Sequence, residues 1–215
     1  MIVAIDGPAG AGKGTLGRRL AEHLGYAYLD TGLLYRAVGA ALVESGAALD
    51  DTEAAVAIAE ALHADAVASH PGLRTEQAGQ AASAVAAMPG VRAALLAFQR
   101  RFAASPPGGA AGAVLDGRDI GTVICPDADL KLYITASSEA RARRRFQELR
   151  AAGEPSIYAD ILKDVEERDK RDSGRAEAPL KPADDAWVID TTHLNADDVF
   201  SQVIERIRNL PPMLQ

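Results

Sequence analysis

The stretch that most constrains the fold is the first fifteen residues, MIVAIDGPAGAGKGT. A short apolar run stops at an acid, Asp6, passes through a glycine-rich loop, and resumes with helical spacing at Leu16 and Leu20. The run is too short and apolar for anything but a buried strand, and Gly7, Gly12 and Lys13 match the spacing G-x-x-x-x-G-K between a strand and a helix. Glycines let such a loop turn its backbone N–H groups inward, and the helix that follows adds the positive end of its dipole. The pattern predicts a phosphate cradle, with Lys13 as a point charge for the outer phosphates of a nucleotide. The loop residues Gly7, Pro8, Ala9, Gly10, Ala11, Gly12, Lys13, Gly14 and Thr15 form the expected donor-binding set. A glycine, Gly14, stands where a hydroxyl normally follows the lysine, and Thr15 comes next. Mg2+ is therefore expected to be held mainly by nucleotide phosphates and water, and no protein metal ligand is assigned.

Four further apolar runs, Tyr26 to Leu29, Ala113 to Leu115, Leu130 to Ile134 and Trp187 to Ile189, read as strands without polar alternation. Each is followed by chain able to cover a sheet face, so the fold class is α/β with a parallel sheet, and ligands are expected beyond the carboxyl ends of its strands. Far more chain lies between Leu29 and Ala113 than one crossover helix needs. Helical stretches are expected there at Leu33 to Glu44, Thr52 to Leu62 and Val91 to Ala103, as part of an insertion.

Of 215 residues, 48% are hydrophobic, and 23 Lys and Arg face 30 Asp and Glu, for a net charge of -7. That balance disfavours nucleic acid and anionic membranes as partners and leaves polyanion binding to local basic clusters. The single cysteine, Cys125, cannot form an internal disulfide, and the four histidines lack metal-ligand spacing. The N-terminus has no leader pattern. A cytoplasmic protein is expected. Neither asparagine, Asn195 or Asn209, stands in the Asn-Lys-x-Asp setting of a guanine-reading switch.

Three basic constellations remain. Thr31 is placed to cap the helix after the second strand, and Arg36 lies about one turn further on, within reach of a second phosphate. Arg118, between Asp116 and Asp119 at the end of the third strand, is either an ion-pair knot or a ligand group, and its position at a strand's carboxyl end favours the latter. In the charged segment 139–175 the helical repeat puts Arg168, Arg171, Asp172 and Arg175 on one stripe, and Arg141, Arg144 and Arg145 on another with Glu148. Solvated ion-paired helices are the plain alternative; the basic stripes suggest a mobile helical lid.

The motifs GPAGAGKGT, LDTGLLYR, QAASAVA (Gln80 to Ala86), PGVR (Pro89 to Arg92), LDGRDIGT and ERDKRDSGR occur in that order. Through them nearly the whole chain resembles the bacterial cytidylate kinases, a branch of the nucleoside monophosphate kinase family. The resemblance implies a single P-loop unit with a five-stranded parallel sheet of order 2-3-1-4-5 wrapped by helices. It also implies a core at about 1–45, 105–137 and 176–215, a short monophosphate-binding insertion at about 46–104, and a helical lid at about 138–175. It implies that Arg36, Arg118 and Arg175 hold the acceptor phosphate, and that Ser83, Arg92 and Asp119 face cytosine. Arg168 and Asp172 would contact the ribose, and Arg141, Arg144 and Arg145 would approach the donor phosphates. Thr31 and Tyr35 join the substrate set, and Lys13, Arg118, Arg168 and Arg175 are the expected catalytic residues. The segment His63 to Leu73 is shorter than in many bacterial members and shows no clear strand pair.

The implied reaction moves the γ-phosphate of ATP to CMP or dCMP, with small-molecule nucleotides as the only partners of a monomer. Its acceptor is already a nucleophile, since a phosphate monoester has its second pKa near ~6, so no general base is needed. A kinase for UMP or AMP and a P-loop ATP-binding sensor without an acceptor are the alternatives.

Overall fold

The computed structural model describes residues 1–62 and 71–210, and the chain divides into two compact units, 1–29 with 106–215 and 30–105. The sheet has five strands, β1 (Ile2–Asp6), β2 (Ala27–Asp30), β3 (Ala113–Gly117), β4 (Leu130–Thr135) and β5 (Trp187–Asp190), in the order β2-β3-β1-β4-β5. This is the expected order. The registers of β1 with β3, β1 with β4 and β4 with β5 are parallel. The central strand β1 is buried because it is covered on both faces, which is why its sequence shows no polar alternation.

In the first unit, Leu16 and Leu20 of α1 (Lys13–Leu24) and Val199, Val203 and Ile207 of α8 (Ala196–Arg208) recur at helical spacing. They pack with Val3, Ile5, Leu132 and Ile134 in one core. This core braces β1, and the phosphate loop springs from its carboxyl end. Two charged helices, α6 (Ser138–Ala151) and α7 (Tyr158–Ser173), pack against each other in the same unit. Ser137 caps α6, accepting the Ala140 N–H at 3.2 Å.

The second unit contains α2 (Thr31–Glu44), α3 (Thr52–Glu60), α4 (Glu76–Val85) and α5 (Pro89–Ala104). Leu34, Val38 and Leu42 of α2 share its core with Ala55, Val85, Val91 and Leu95. Helix α4 is absent from the periodicity reading: its alanines blur the contrast between faces, although Thr75 caps it by accepting the Ala78 N–H at 3.2 Å. Thr31 is the first helical residue of α2, not its cap; Asp30 holds the cap position. The shortened segment His63 to Leu73 lies outside the described residues as far as His70, after which Pro71–Arg74 form a 3-10 turn. Among the described residues no single helix is long and apolar enough to cross a membrane.

Candidate active site

The phosphate loop begins with a glycine for a steric reason. Gly7 has φ +146°, and a Cβ there would lie 1.9 Å from the Ile134 carbonyl oxygen on β4. Lys13, first residue of α1, is buried, and its Nζ donates to the Pro8 carbonyl at 2.9 Å, so the ammonium is folded over its own loop. Gly12 at the N-cap of α1 offers no side chain to the first-turn N–H groups, which suits an anion at that helix end.

Gly14, the departure from the usual hydroxyl, faces a second polar group. A Cβ on it would come within 3.5 Å of both the Asp116 carboxylate and the Tyr28 hydroxyl, and Tyr28 donates to Asp116 at 2.5 Å. A buried carboxylate thus borders the place where a serine or threonine hydroxyl would project. Hard oxygen chemistry of this kind fits a hydrated divalent cation carried by a nucleotide. Thr15 is exposed on the first turn of α1.

Asp6 was visible in the sequence only as an acid at a strand end. Its carboxylate accepts the N–H groups of Ile120 and Gly121 at 2.7 and 2.8 Å, capping a π-helical turn at Ile120–Ile124. Burial pushes its pKa from 3.8 up to about 6, against the two hydrogen bonds and the Lys13 charge, which pull it down, and with the Asp119 charge raising it further. A raised folded-state pKa means that between about pH 4 and pH 6 the native state holds a proton the unfolded chain has released. Stability from this group is present in acid and is lost as pH rises through that window, by about 3 kcal/mol in all. Asp6→Asn removes the titration, so its unfolding free energy relative to wild type should rise by about that amount from pH 4 to pH 7. A difference that stays flat with pH in denaturant melts would refute this.

Beyond β3, Arg118 Nε donates to Asp172 Oδ2 at 2.9 Å, and its Nη1 donates to the Gly117 carbonyl at 3.1 Å. Arg175 donates to the other Asp172 oxygen. Asp172 is 1% exposed, and burial raises its pKa, but the Arg118, Arg175 and Arg168 charges outweigh this and hold the carboxyl below its ordinary value. Asp119 is buried beside this cluster in sequence, at the head of the π turn. One carboxylate therefore gathers three of the predicted site arginines. The predicted stripe differs in detail. Helix α7 ends at Ser173, so Arg175 reaches back from beyond it, and Arg171 is exposed.

The three arginines of α6 point to three different places. Arg141, 3% exposed, forms a two-pronged pair with Asp169 of α7 at 3.0 and 2.5 Å, and also donates to the Ala136 and Ala9 carbonyls. Arg144 donates to the Thr191 hydroxyl at 3.1 Å and to the Thr191 carbonyl. The Thr191 hydroxyl in turn lies 3.1 Å from the Ala11 carbonyl of the phosphate loop. Arg145 pairs with Glu148 at 3.4 Å. Asp169 and Thr191, which tie two of these arginines to the loop's surroundings, were not singled out from the sequence.

The second unit holds Thr31, Tyr35, Arg36, Ser83 and Arg92. Arg36 donates to the Leu73 and Thr75 carbonyls at 2.8 and 2.9 Å, joining α2 to the 3-10 turn. Thr31, Tyr35 and Ser83 are buried. Arg92 donates to the Ala86 carbonyl at 3.4 Å, and its guanidinium stands 5.9 Å from the centre of the Tyr35 ring.

A family model described as cytidylate kinase matches residues 3–209. A cytidylate kinase of Paramagnetospirillum magneticum is 59% identical over 203 residues, covering 94% of this chain and 95% of its own. One of Azorhizobium caulinodans is 57% identical over 212 residues, covering 97% and 100%, and one of Rhodospirillum rubrum is 56% identical over 205 residues, covering 95% and 96%. An uncharacterized protein from Eubacterium ventriosum has the same fold at a TM-score of 0.54 and 16% identity, with 98% and 99% of the chains covered. With matches of this identity over nearly its whole length, the chain belongs to the cytidylate kinase family.

Proposed function

We propose that the chain transfers the γ-phosphoryl group of Mg2+-bound ATP to CMP or dCMP, giving ADP and CDP or dCDP. The observation that carries this reading is the pairing, within one unit, of a phosphate loop closed by a buried Lys13 with Arg118 and Arg175 held on a buried Asp172. The first takes a donor's phosphates; the second presents two guanidiniums in the fork geometry that a phosphate monoester accepts.

In this reading the loop N–H groups and Lys13 hold the β and γ phosphates. Arg118 and Arg175 orient the acceptor phosphate, and Arg168 and Asp172 contact its ribose. Asp119 reads the cytosine amine. Arg141, Arg144 and Arg145 lie toward the donor side, the first two bonded to carbonyls of Ala9 and Thr191. Mg2+ carried by the nucleotide would neutralise phosphate charge, and the Asp116 carboxylate would accept hydrogen bonds from its water shell. No base is required, because the acceptor's phosphate oxygen is already anionic at pH 7. The enzyme acts in this reading as a cytoplasmic monomer on free nucleotides, in keeping with its net charge of -7.

Incubation with MgATP and each of CMP, dCMP, UMP, AMP and GMP tests this directly by ADP formation. CMP and dCMP should be turned over fastest, with UMP lower by about tenfold to a hundredfold in kcat/KM, because its carbonyl would face the Asp119 carboxylate. ATP hydrolysis indifferent to every monophosphate would replace the kinase reading with that of a sensor.

Asp172→Ala should lower kcat/KM for both CMP and dCMP, since two arginines lose their anchor. The loss for CMP should be larger by about 1 to 3 kcal/mol if the carboxylate also takes the 2'-hydroxyl. Equal losses would confine Asp172 to holding the arginines.

A further inference from the structure

We propose that Asp6 is a positioning residue for acceptor recognition, fixing the turn that carries Arg118 and Asp119. The proposal rests on the reading that Asp119 faces the base and Arg118 the monophosphate. Asp6 brackets that segment from both sides. Its backbone lies in parallel register with Gly117, just before Arg118. Its carboxylate takes the N–H groups of Ile120 and Gly121, just after Asp119. The Asp119 carbonyl is itself the acceptor for Val123 and Ile124, at 2.9 and 3.2 Å, and Cys125 donates to the Ile120 carbonyl at 2.7 Å. Asp119, at φ -147° and ψ 26°, thus stands between a strand and a π turn with the backbone tied on either side, and Asp6 contributes to the hold on each side.

The chemistry requires a carboxylate. Two adjacent N–H groups need two acceptor oxygens diverging from one side chain, which aspartate has; asparagine offers one oxygen and turns an amine toward the other donor. Close approach requires a small partner as well. A Cβ on Gly121 would lie 3.4 Å from the Asp6 carboxylate and 3.2 Å from the Lys131 side chain, so any larger residue presses on the contact. Burying this anion costs stability, and a buried acceptor set aimed at two backbone donors is the return.

Asp6→Asn and Gly121→Ala approach the same contact from its two ends, and Asp119→Asn serves as the reference for base reading. With CMP and UMP as acceptors, Asp6→Asn and Gly121→Ala should each lower kcat/KM for CMP by about tenfold to a hundredfold. UMP should suffer less, so the preference for CMP narrows while KM for ATP stays within about threefold. If Asp119→Asn narrows the preference and the other two leave it at the wild-type value, the positioning role of Asp6 is wrong and the base reading stands. If Asp119→Asn leaves the preference untouched, the base reading fails and the proposal with it. Equal losses toward CMP, UMP and ATP would reduce Asp6 to a structural cap. Should Asp6→Asn not fold, Gly121→Ala decides alone.

Discussion

Lys13→Ala should lower kcat by about three orders of magnitude and leave the fold in place. The ammonium is buried at the start of α1 and donates to the Pro8 carbonyl at 2.9 Å, so it is fixed in the loop. A preorganised charge in a site shielded from water acts most strongly where charge develops as the phosphoryl group transfers, a contribution of about 3 to 4 kcal/mol. The fold should survive because the core under the loop is apolar, built from Val3, Ile5, Leu16 and Leu20. One secondary effect is expected. The Lys13 charge lowers the Asp6 pKa, so its removal should push that carboxyl higher still and widen the pH window over which stability declines. Steady-state kinetics beside a thermal melt decide the matter. A folded variant keeping more than about a tenth of wild-type kcat would remove Lys13 from the transfer step.

The sheet was legible in the sequence because strands buried on both faces are continuous apolar runs, and each of the five has its ends within two residues of their expected places. The phosphate loop was legible because strand, glycines and lysine constrain one another over a few residues. Helix α4 was not, since QAASAVA carries too little polar contrast to show a buried face. The basic stripes of α6 show a different limit. Helical spacing gives the direction in which a side chain leaves the axis, but an arginine has four rotatable bonds beyond that point. Arg141, Arg144 and Arg145 start near one another and end at Asp169, Thr191 and Glu148. The contacts of Asp6 and Tyr28 are not legible in the sequence because their partners, the Ile120 and Gly121 N–H groups and Asp116, are distant along the chain. No local pattern records such a contact.

Arg118→Met should lower kcat/KM for CMP by about a thousandfold, roughly 4 kcal/mol, while costing the fold far less. The guanidinium is held at Nε by Asp172 and at Nη1 by the Gly117 carbonyl, which orients the fork at the carboxyl end of β3. Methionine keeps much of the side chain's apolar bulk and removes the charge and the fork, so a phosphate acceptor loses its bidentate partner. Breaking a buried pair is usually expensive because the remaining charge is stranded. Here Asp172 keeps its bond from Arg175 and the field of Arg168, so the stability loss should stay near about 1 to 2 kcal/mol. Pairing the substitution with Asp172→Asn gives the coupling. If the two act through one phosphate-orienting unit, the double variant should lose much less activity than the two single losses combined. A collapse in stability with full activity in the protein that remains folded would make Arg118 part of a structural ion-pair knot, and the acceptor phosphate would then need a different holder.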